Sequence, residues 1–296
     1  MITHALSLRV LLLVATAAAL VAVLPARLQA QSSKIFVASY GDDSSDGSRG
    51  NPKRNFQAAH DAVATGGDIV VLDTAGYGAL NISKSVNVIV PPGVNGFVSV
   101  SGSSSSGITV NAGSTDVVTL RGLIIEGGGM GDGTSGSCGI SVGPSGMVLI
   151  EDCTVRNFAA GISLHDGQSV AVYNTTMRDC HYGLERTNLI STVASNCRME
   201  GCPYGVVNVD DFSYQESDPS LILVLEKCSL FSDAIGFLAR GKAEIYTSNC
   251  TIIGISDELG AYQQNNAGYR GRTATRRNNN VGFTVDDGFT DYFSPQ

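Results

Sequence analysis

The chain of 296 residues has no tryptophan and few charges, since Asp, Glu, Lys and Arg make up only 16% of it. A charged disordered tail or a long coiled coil would contain far more charge, and the 43% hydrophobic content indicates a globular protein instead. Lys and Arg, with 19 residues, are outnumbered by the 27 Asp and Glu residues, and the net charge is -8. Nucleic-acid binding, in contrast, needs clustered Lys and Arg. The composition therefore argues against a nucleic-acid partner.

Glycine, in contrast, is abundant, with 35 residues. Each glycine in a helix interior costs about 1 kcal/mol relative to alanine. The composition therefore argues against an all-helical fold.

Residues 1–30 have the pattern of a secretory signal peptide. Arg9 precedes an apolar run from Val10 to Leu24, and Leu28 and Ala30 stand at positions -3 and -1 of a cleavage site after Ala30. The run is shorter than the ~20 residues of a membrane span, and no later segment comes close. We expect an exported, secreted or periplasmic mature protein without a membrane span and with a net charge of -10. An uncleaved N-terminal anchor is the alternative.

A repeat with a period of 22 runs through the middle of the chain. The steps between successive anchor positions are 31, 22, 22, 31 and 22 residues. The same 22-residue unit therefore repeats, and two of the copies carry an insertion of nine residues. These anchors are Gly122, Cys153, Thr175, Cys197, Cys228 and Cys250. Two positions after each anchor is an apolar residue: Ile124, Val155, Met177, Met199, Leu230 and Ile252. A glycine row follows at Gly161, Gly183, Gly205 and Gly236.

The repeat predicts an all-β fold, a single-stranded right-handed parallel β-helix over residues 69–260. Short alternating runs rich in Val, Ile and Thr, separated by Gly, Asn and Asp, are typical of strands with tight turns. About three such strands fit in one unit, which would form one coil, and each coil would pair with the next at about 4.8 Å. A leucine-rich repeat has a similar period, but its consensus pattern is absent.

Because of these repeats, the chain resembles the pectin-lyase-like superfamily of right-handed β-helix proteins. The segments Ile35–Gly47 (IFVASYGDDSSDG) and Asn55–Val90 are similar to the opening of a group of exported bacterial β-helix repeat proteins, where a cap precedes the first coils. Related openings often carry a cysteine pair where Gly47 and Lys53 stand here, so no disulfide is expected at this cap. Because the superfamily includes polysaccharide lyases, hydrolases, epimerases and proteins with no known chemistry, the resemblance implies the fold and not an activity.

Residues 31–68 are expected to form the N-terminal cap. Phe56, Ala59 and Val63 have the spacing of a short amphipathic helix, and Gly66 with the glycine after it would end that helix.

Residues 261–296 leave the repeat and become a polar tail with a closing strand. The arginines of this tail would allow an anionic partner, but a solvated tail is the simpler and favoured explanation.

Structural roles explain most cysteines and asparagines. Four of the seven cysteines fall in the anchor row, which predicts a buried hydrophobic ladder. Cys180 and Cys202 share a later row in adjacent coils, at a separation that would also allow a disulfide. An asparagine ladder is predicted at the residue before the anchor, which is Asp152, Asn174, Asn196 or Asn249. No metal site and no cofactor site are predicted.

The two insertions are the natural places for a binding site. The first is glycine-rich and carries two candidate ligand-binding carboxylates, Glu126 and Asp132. The second, Val209–Ser220, combines carboxylates with aromatic rings, as sugar sites do. Its candidate ligand-binding residues are Asp211, Phe212 and Tyr214. The simpler interpretation, which the composition favours, is a flexible lip over a groove for the first insertion and a solvated loop for the second.

The turns after the glycine row place His165 and Asp166, then Arg186, then Asp210 along one edge of the stack. Asp166 and Asp210 would be roughly 9 to 10 Å apart, near the carboxylate separation of inverting glycosidases. Asp166, Arg186 and Asp210 are therefore the candidate catalytic residues, with His165 as a ligand. The polygalacturonase motifs are incomplete, since only the Asp210-Asp211 pair matches, and no pectate-lyase motif is recognisable.

The sequence favours a non-catalytic exported β-helix that contacts polysaccharide or a cell-envelope glycan along its side. A polysaccharide hydrolase or lyase that uses the edge carboxylates is the alternative, and a scaffold without a ligand is a third hypothesis.

Overall fold

The computed structural model describes residues 31–101, 106–129, 137–165, 169–187, 191–209, 221–240, 243–254, 261–264, 272–276, 280–281 and 291–293. Contacts divide the chain into two units, Met1–Gln31 and Ser32–Gln296. The predicted signal peptide, residues 1–30, lies outside the described residues, and the architecture is that of the second unit. No helix among the described residues is long and apolar enough to cross a membrane.

One short helix and many short strands make up the described residues. The helix α1 spans Phe56–Ala62. The strands, in chain order, are β1 (Ser32–Val37), β2 (Val63–Val71), β3 (Ala75–Gly76), β4 (Leu80–Ile82), β5 (Val86–Ile89), β6 (Gly96–Ser99), β7 (Ile108–Val110), β8 (Val117–Arg121), β9 (Leu123–Glu126), β10 (Cys138–Val142), β11 (Met147–Glu151), β12 (Thr154–Arg156), β13 (Ala160–Leu164), β14 (Ser169–Tyr173), β15 (Thr176–Arg178), β16 (Tyr182–Thr187), β17 (Ser191–Ser195), β18 (Arg198–Val209), β19 (Leu221–Glu226), β20 (Ser229–Arg240), β21 (Ala243–Ser248), β22 (Thr251–Gly254), β23 (Ala261–Gln264), β24 (Arg272–Arg276), β25 (Asn280–Val281) and β26 (Asp291–Phe293).

All ladders between these strands are parallel, and each coil contributes one strand to each of three faces. Face 1 is the sheet β1-β2-β5-β8-β11-β14-β17-β19-β21-β24-β26. Face 2 contains β3, β6, β9, β12, β15, the first parts of β18 and β20, β22 and β25. Face 3 contains β4, β7, β10, β13, β16, the part of β18 from Tyr204 onward, the second part of β20 and β23. The long strands β18 and β20 turn the corner between faces 2 and 3, so these two faces form one continuous sheet. The predicted parallel β-helix is confirmed.

The core is a set of stacked apolar rows inside the coils. On face 3, Ile140 pairs with Ile162, Ile162 with Leu184, and Leu184 with Val206, and all four side chains are buried. Each step in this row is one period of the sequence repeat. Because every coil buries its inner side chains against the next, the stack has one continuous hydrophobic core.

The first anchor was misplaced by one residue. Val155 pairs with Ile125 rather than with Ile124, and Leu123, which is buried, stands in the row of Cys153. Gly122 belongs instead to the turn before the anchor, because it has φ 76° where Asp152 has φ 55°. The first insertion is therefore one residue shorter than the sequence suggested.

The cap helix is shorter than expected. Helix α1 ends at Ala62, and Val63, which was predicted to lie on the helix, begins β2 and pairs with Ser32 of β1. A β-branched residue fits this sheet position, where its side chain is fully buried. Phe56 is buried under the first coil, and its N–H donates to the carbonyl of Tyr77.

All seven cysteines are described, buried and in the thiol form, so no bridge joins Cys180 to Cys202. The thiol of Cys180 donates to the carbonyl of Arg178, and that of Cys202 donates to the carbonyl of Glu200. Anchor thiols make the same bond, and burial raises the pKa of Cys153 to about 12. These groups pack as small apolar side chains with a local hydrogen bond.

Candidate functional site

Most of the residues that the sequence singled out lie outside the described residues. These are Asp132, Asp166, Asp210, Asp211, Phe212 and Tyr214. The site proposed at Asp166 and Asp210 therefore stays a prediction. Glu126, His165 and Arg186 are described, and they do not come together at one place.

Glu126 is the last residue of β9 on face 2. Its Oε2 lies 2.9 Å from Nη2 of Arg156, the neighbour in the next coil. His165 follows β13 at the end of face 3 and is exposed. Glu126 and His165 thus lie on different faces of the coil.

Arg186 lies inside the coil and not on its outer edge, where the sequence had placed it. Side chains alternate along β16, so Leu184 and Arg186 point inward and Glu185 points outward. Arg186 is 1% exposed, and its Nη1 donates to Oδ1 of buried Asn208 at 3.3 Å. Burial lowers the pKa of Arg186 to about 10. Because this guanidinium is enclosed inside the coil, it is not available to a ligand on the outer face.

A polar network occupies the outer surface of face 3 next to His165. The hydroxyl of Ser163 donates to Oε2 of Glu185 at 2.9 Å, and the two residues pair directly in adjacent coils. The same hydroxyl oxygen lies 3.0 Å from Nε2 of His165. On the other side of the imidazole, Nδ1 lies 3.2 Å from the hydroxyl oxygen of Thr187. The four side chains therefore form one continuous chain of hydrogen bonds.

The single proton of the Ser163 hydroxyl sets the direction of this network. Because that proton goes to Glu185, the Ser163 oxygen must accept the N–H of His165 Nε2. In the neutral imidazole, Nδ1 then accepts the hydroxyl proton of Thr187. Ser163 is buried, so it holds His165 and Glu185 in place, and the outward carboxylate and the exposed imidazole are the groups available to a ligand.

Aromatic rings lie at the start of the same strands. Tyr182 of β16 pairs with Tyr204 of β18, and their ring centroids are 5.3 Å apart. His181 packs edge-on against Tyr182 at 4.6 Å and lies 5.3 Å from the ring of Tyr204. All three side chains are half-buried. They form a small aromatic patch at the corner between faces 2 and 3.

The polar surface extends along the stack from this network. Successive coils of face 3 pair outward residues that can all make hydrogen bonds: Asn81, Thr109, Ser141, Ser163 and Glu185. At about 4.8 Å per coil, this polar row is roughly 19 Å long. We call the row, with His165, Thr187 and the aromatic patch, the face 3 site.

Cys138, at the start of β10, lies beside this polar network and is buried. Burial, followed by the negative charge of Glu185, raises the pKa of its thiol. Cys138 is therefore a poor nucleophile. Among the described residues, no three His, Cys, Asp or Glu side chains are placed to hold a metal ion.

Sequence reasoning missed Ser163, Glu185, Tyr182 and Tyr204, although a signal was present. Ser163 and Glu185 are one repeat period apart, as are Tyr182 and Tyr204, so the repeat placed the two members of each pair side by side. Outward positions carry no common residue type, and therefore they did not form a recognisable row.

Comparisons with known proteins agree with the architecture. The family model described as "Right handed beta helix region" matches residues 106–288. No curated protein matches the chain.

Two solved structures superpose on most of this chain. The crystal structure of a GH136 lacto-N-biosidase from Eubacterium ramulus superposes with a TM-score of 0.52 and 11% identity, over 91% of this chain and 68% of that chain. A rhamnogalacturonan lyase superposes with a TM-score of 0.43 and 9% identity, over 88% of this chain and 84% of that chain. At such identities the likeness concerns the fold alone.

Proposed function

The chain belongs to the right-handed β-helix family, and we propose that it is an exported protein whose face 3 site binds glycan chains. The observation that carries this proposal is the aromatic patch of Tyr182, Tyr204 and His181 on the same strands as the network of Glu185 and His165.

The two parts of the face 3 site match the two kinds of surface that a sugar presents. Sugar rings have apolar C–H faces, which pack on aromatic rings, and hydroxyl groups, which need hydrogen-bond partners. Tyr182 and Glu185 lie three residues apart on β16, on either side of the corner glycine Gly183, so about 10 Å of strand separates the ring from the carboxylate.

The extended shape of the site favours a chain over a small molecule. The polar row from Asn81 to Glu185 crosses five coils over roughly 19 Å, which is the dimension of an oligosaccharide rather than of a single small ligand. The proposed export rests on the signal-peptide pattern of residues 1–30. The similar fold of a lacto-N-biosidase is compatible with a glycan ligand and adds nothing about this site.

Replacing a ring tests the proposal. We expect Tyr204→Ala and Tyr182→Ala each to weaken glycan binding about tenfold, as truncation of a central contact typically costs more than ~1 kcal/mol. Binding would be measured on a glycan array and then by titration calorimetry with the best oligosaccharide. Tyr173→Ala is the matched control, because Tyr173 is exposed on face 1. The proposal would be contradicted if all three variants bound the glycan as tightly as the wild type does. If the wild type bound no glycan at all, a scaffold role would be left.

A carbohydrate-active enzyme, either a hydrolase or a lyase, is the second candidate. The network favours it, because the Glu185 carboxylate joined through Ser163 to an exposed imidazole provides two groups that can exchange protons. Asp166 and Asp210 would supply further carboxylates in that case. The assay is turnover of acidic and neutral polysaccharides by the mature protein, compared with Glu185→Gln and Asp210→Asn. Turnover that either substitution abolishes would end the binding-only proposal.

A further inference from the structure

Glu185 has a neutral hydrogen-bond partner, whereas four other glutamates on strands have a charged one. Those four, on faces 1 and 2, each form an ion pair with a basic side chain. The pairs are Glu126–Arg156, Glu151–Arg121, Glu200–Arg198 and Glu226–Lys227. In the part of the chain that the structure describes, Glu185 makes no such pair, and its hydrogen-bond donor is the neutral hydroxyl of Ser163.

The strands around Glu185 carry no outward basic residue either. From β4 to the second part of β18, the face 3 strands include one basic residue, Arg186, and that residue points into the core. The next basic residue of face 3, Arg240, ends β20 in the row of Thr187, two coils or about 10 Å along the stack. Glu185 therefore adds a negative charge that no outward basic side chain of these strands pairs with, in a protein whose net charge is -8.

The aromatic patch also favours a ligand with a positive charge. The faces of tyrosine rings attract cations within about 6 Å of the ring centroid, and Tyr182 and Tyr204 are half-buried side by side on this surface. A glycan with amino groups on successive sugars would thus find the Glu185 carboxylate at one position and electron-rich rings about 10 Å away along the strand. An anionic sugar would meet the carboxylate without an outward Lys or Arg on the neighbouring strands to offset the repulsion.

We propose that the face 3 site selects glycans with protonated amino sugars, in which a free hexosamine amine forms an ion pair with Glu185. This assignment rests on the proposed glycan-binding function and names its ligand class. It predicts the order of affinity, with free amino sugars above N-acetylated sugars and uronic acids last.

Oligosaccharides of equal length test the order directly. Glucosamine, N-acetylglucosamine and galacturonate oligomers would be titrated into the wild type near neutral pH. We expect the glucosamine oligomer to bind about tenfold more tightly than its N-acetylated counterpart, because a charge-assisted hydrogen bond is roughly twice as strong as a neutral one. This advantage should shrink as salt is added, since the charges meet at a solvent-accessible surface.

Two glutamine variants assign the effect to one carboxylate. Glu185→Gln should remove the advantage of the free amine while the N-acetylated oligomer still binds. Glu151→Gln, the same change at an ion-paired carboxylate on face 1, should leave the advantage in place.

The outcomes separate the two proposals. If the N-acetylated oligomer binds as tightly as the glucosamine oligomer, or galacturonate binds best, the amino-sugar inference is wrong and glycan binding stands. If none of the oligomers or array glycans binds, both are wrong. An amine advantage that survives Glu185→Gln would also overturn the inference, since the ion pair would then lie elsewhere.

Discussion

At the scale of single residues, one turn position before each buried anchor requires a left-handed backbone. Asp152, Asn174 and Asn196 have φ values of 55°, 49° and 53°. The side chain of Asn174 donates to Asp152, and that of Asn196 donates to Asn174 at 2.8 Å, so an amide ladder connects three coils. Lys227 occupies the same turn with φ 54° and interrupts the ladder before Asn249.

Two substitutions at Asn196 separate the backbone from the ladder. Asn196→Gly introduces a residue that adopts positive φ easily, so the turn is preserved. The variant loses the side-chain hydrogen bond, which lowers the free energy of unfolding by about 0.5–1.5 kcal/mol. Asn196→Ala loses the bond and also places a Cβ in the left-handed region, which adds roughly 1–2 kcal/mol. Urea denaturation of both variants measures the difference. Equal stability of the two variants would show that the turn imposes no strain on alanine.

The sequence predicted this ladder but could not place every residue of the turn. Asparagine in the row before a repeated anchor is a local signal, and it identified the position correctly at Asn174 and Asn196. Gly122 and Lys227 were missed because neither resembles asparagine, although each adopts the same positive φ. Only the backbone conformation identifies them as members of the row.

At the scale of elements, the glycine row of the face 3 strands reflects a close approach of neighbouring coils. A Cβ built on Gly183 would lie 2.5 Å from the carbonyl oxygen of Gly205 and 2.9 Å from Cγ of Met199. The glycine row therefore marks a corner where one coil rests on the backbone of the next. This packing positions Tyr182 and Glu185, which lie on either side of the corner glycine in β16.

Gly183→Ala is expected to destabilise the fold by about 1–3 kcal/mol, the usual cost of forcing extra volume into a packed interior. Gly76→Ala is the matched control, since a Cβ there meets no atom within 4 Å, and we expect a change within about 0.5 kcal/mol. Thermal unfolding followed by circular dichroism compares the two. A loss of stability at Gly76 as large as that at Gly183 would argue against close approach as the cause.

At the scale of the whole molecule, the stack behaves as a one-dimensional array in which a coil contacts its two neighbours. Strand β11 pairs with β14, and β14 pairs with β17, each at an offset of one repeat period. Removing one full coil should therefore bring equivalent strands together again.

Deleting Cys153 to Asn174 removes one complete period, and we expect a shorter stack that still folds. The measurements are circular dichroism for the β content and small-angle scattering for the length. Deleting only Cys153 to Ser163, half a coil, is the control, because it joins strands of different faces and should abolish folding. A collapsed spectrum for the full-coil deletion, with the cap and C-terminal segment intact, would refute the array description.

By itself, the sequence determined the architecture. The repeat period, the alternation within each unit and the small residues at the corners are all local patterns, and stacking is the arrangement that buries their apolar rows together. The cap helix was also predictable at Phe56 and Ala59, although its end was not, because pairing with β1 draws Val63 into a strand.

Only the tertiary structure decided which side chains face outward and which of them meet. Strand alternation has a period of two, so one residue of register turns a side chain from the surface to the core. That single step separates the outward Glu185, with its Ser163 partner, from the buried Arg186 that the sequence had placed on the edge. The coil period fixed the fold because it repeats many times, whereas the candidate site depends on the exact register of a few strands.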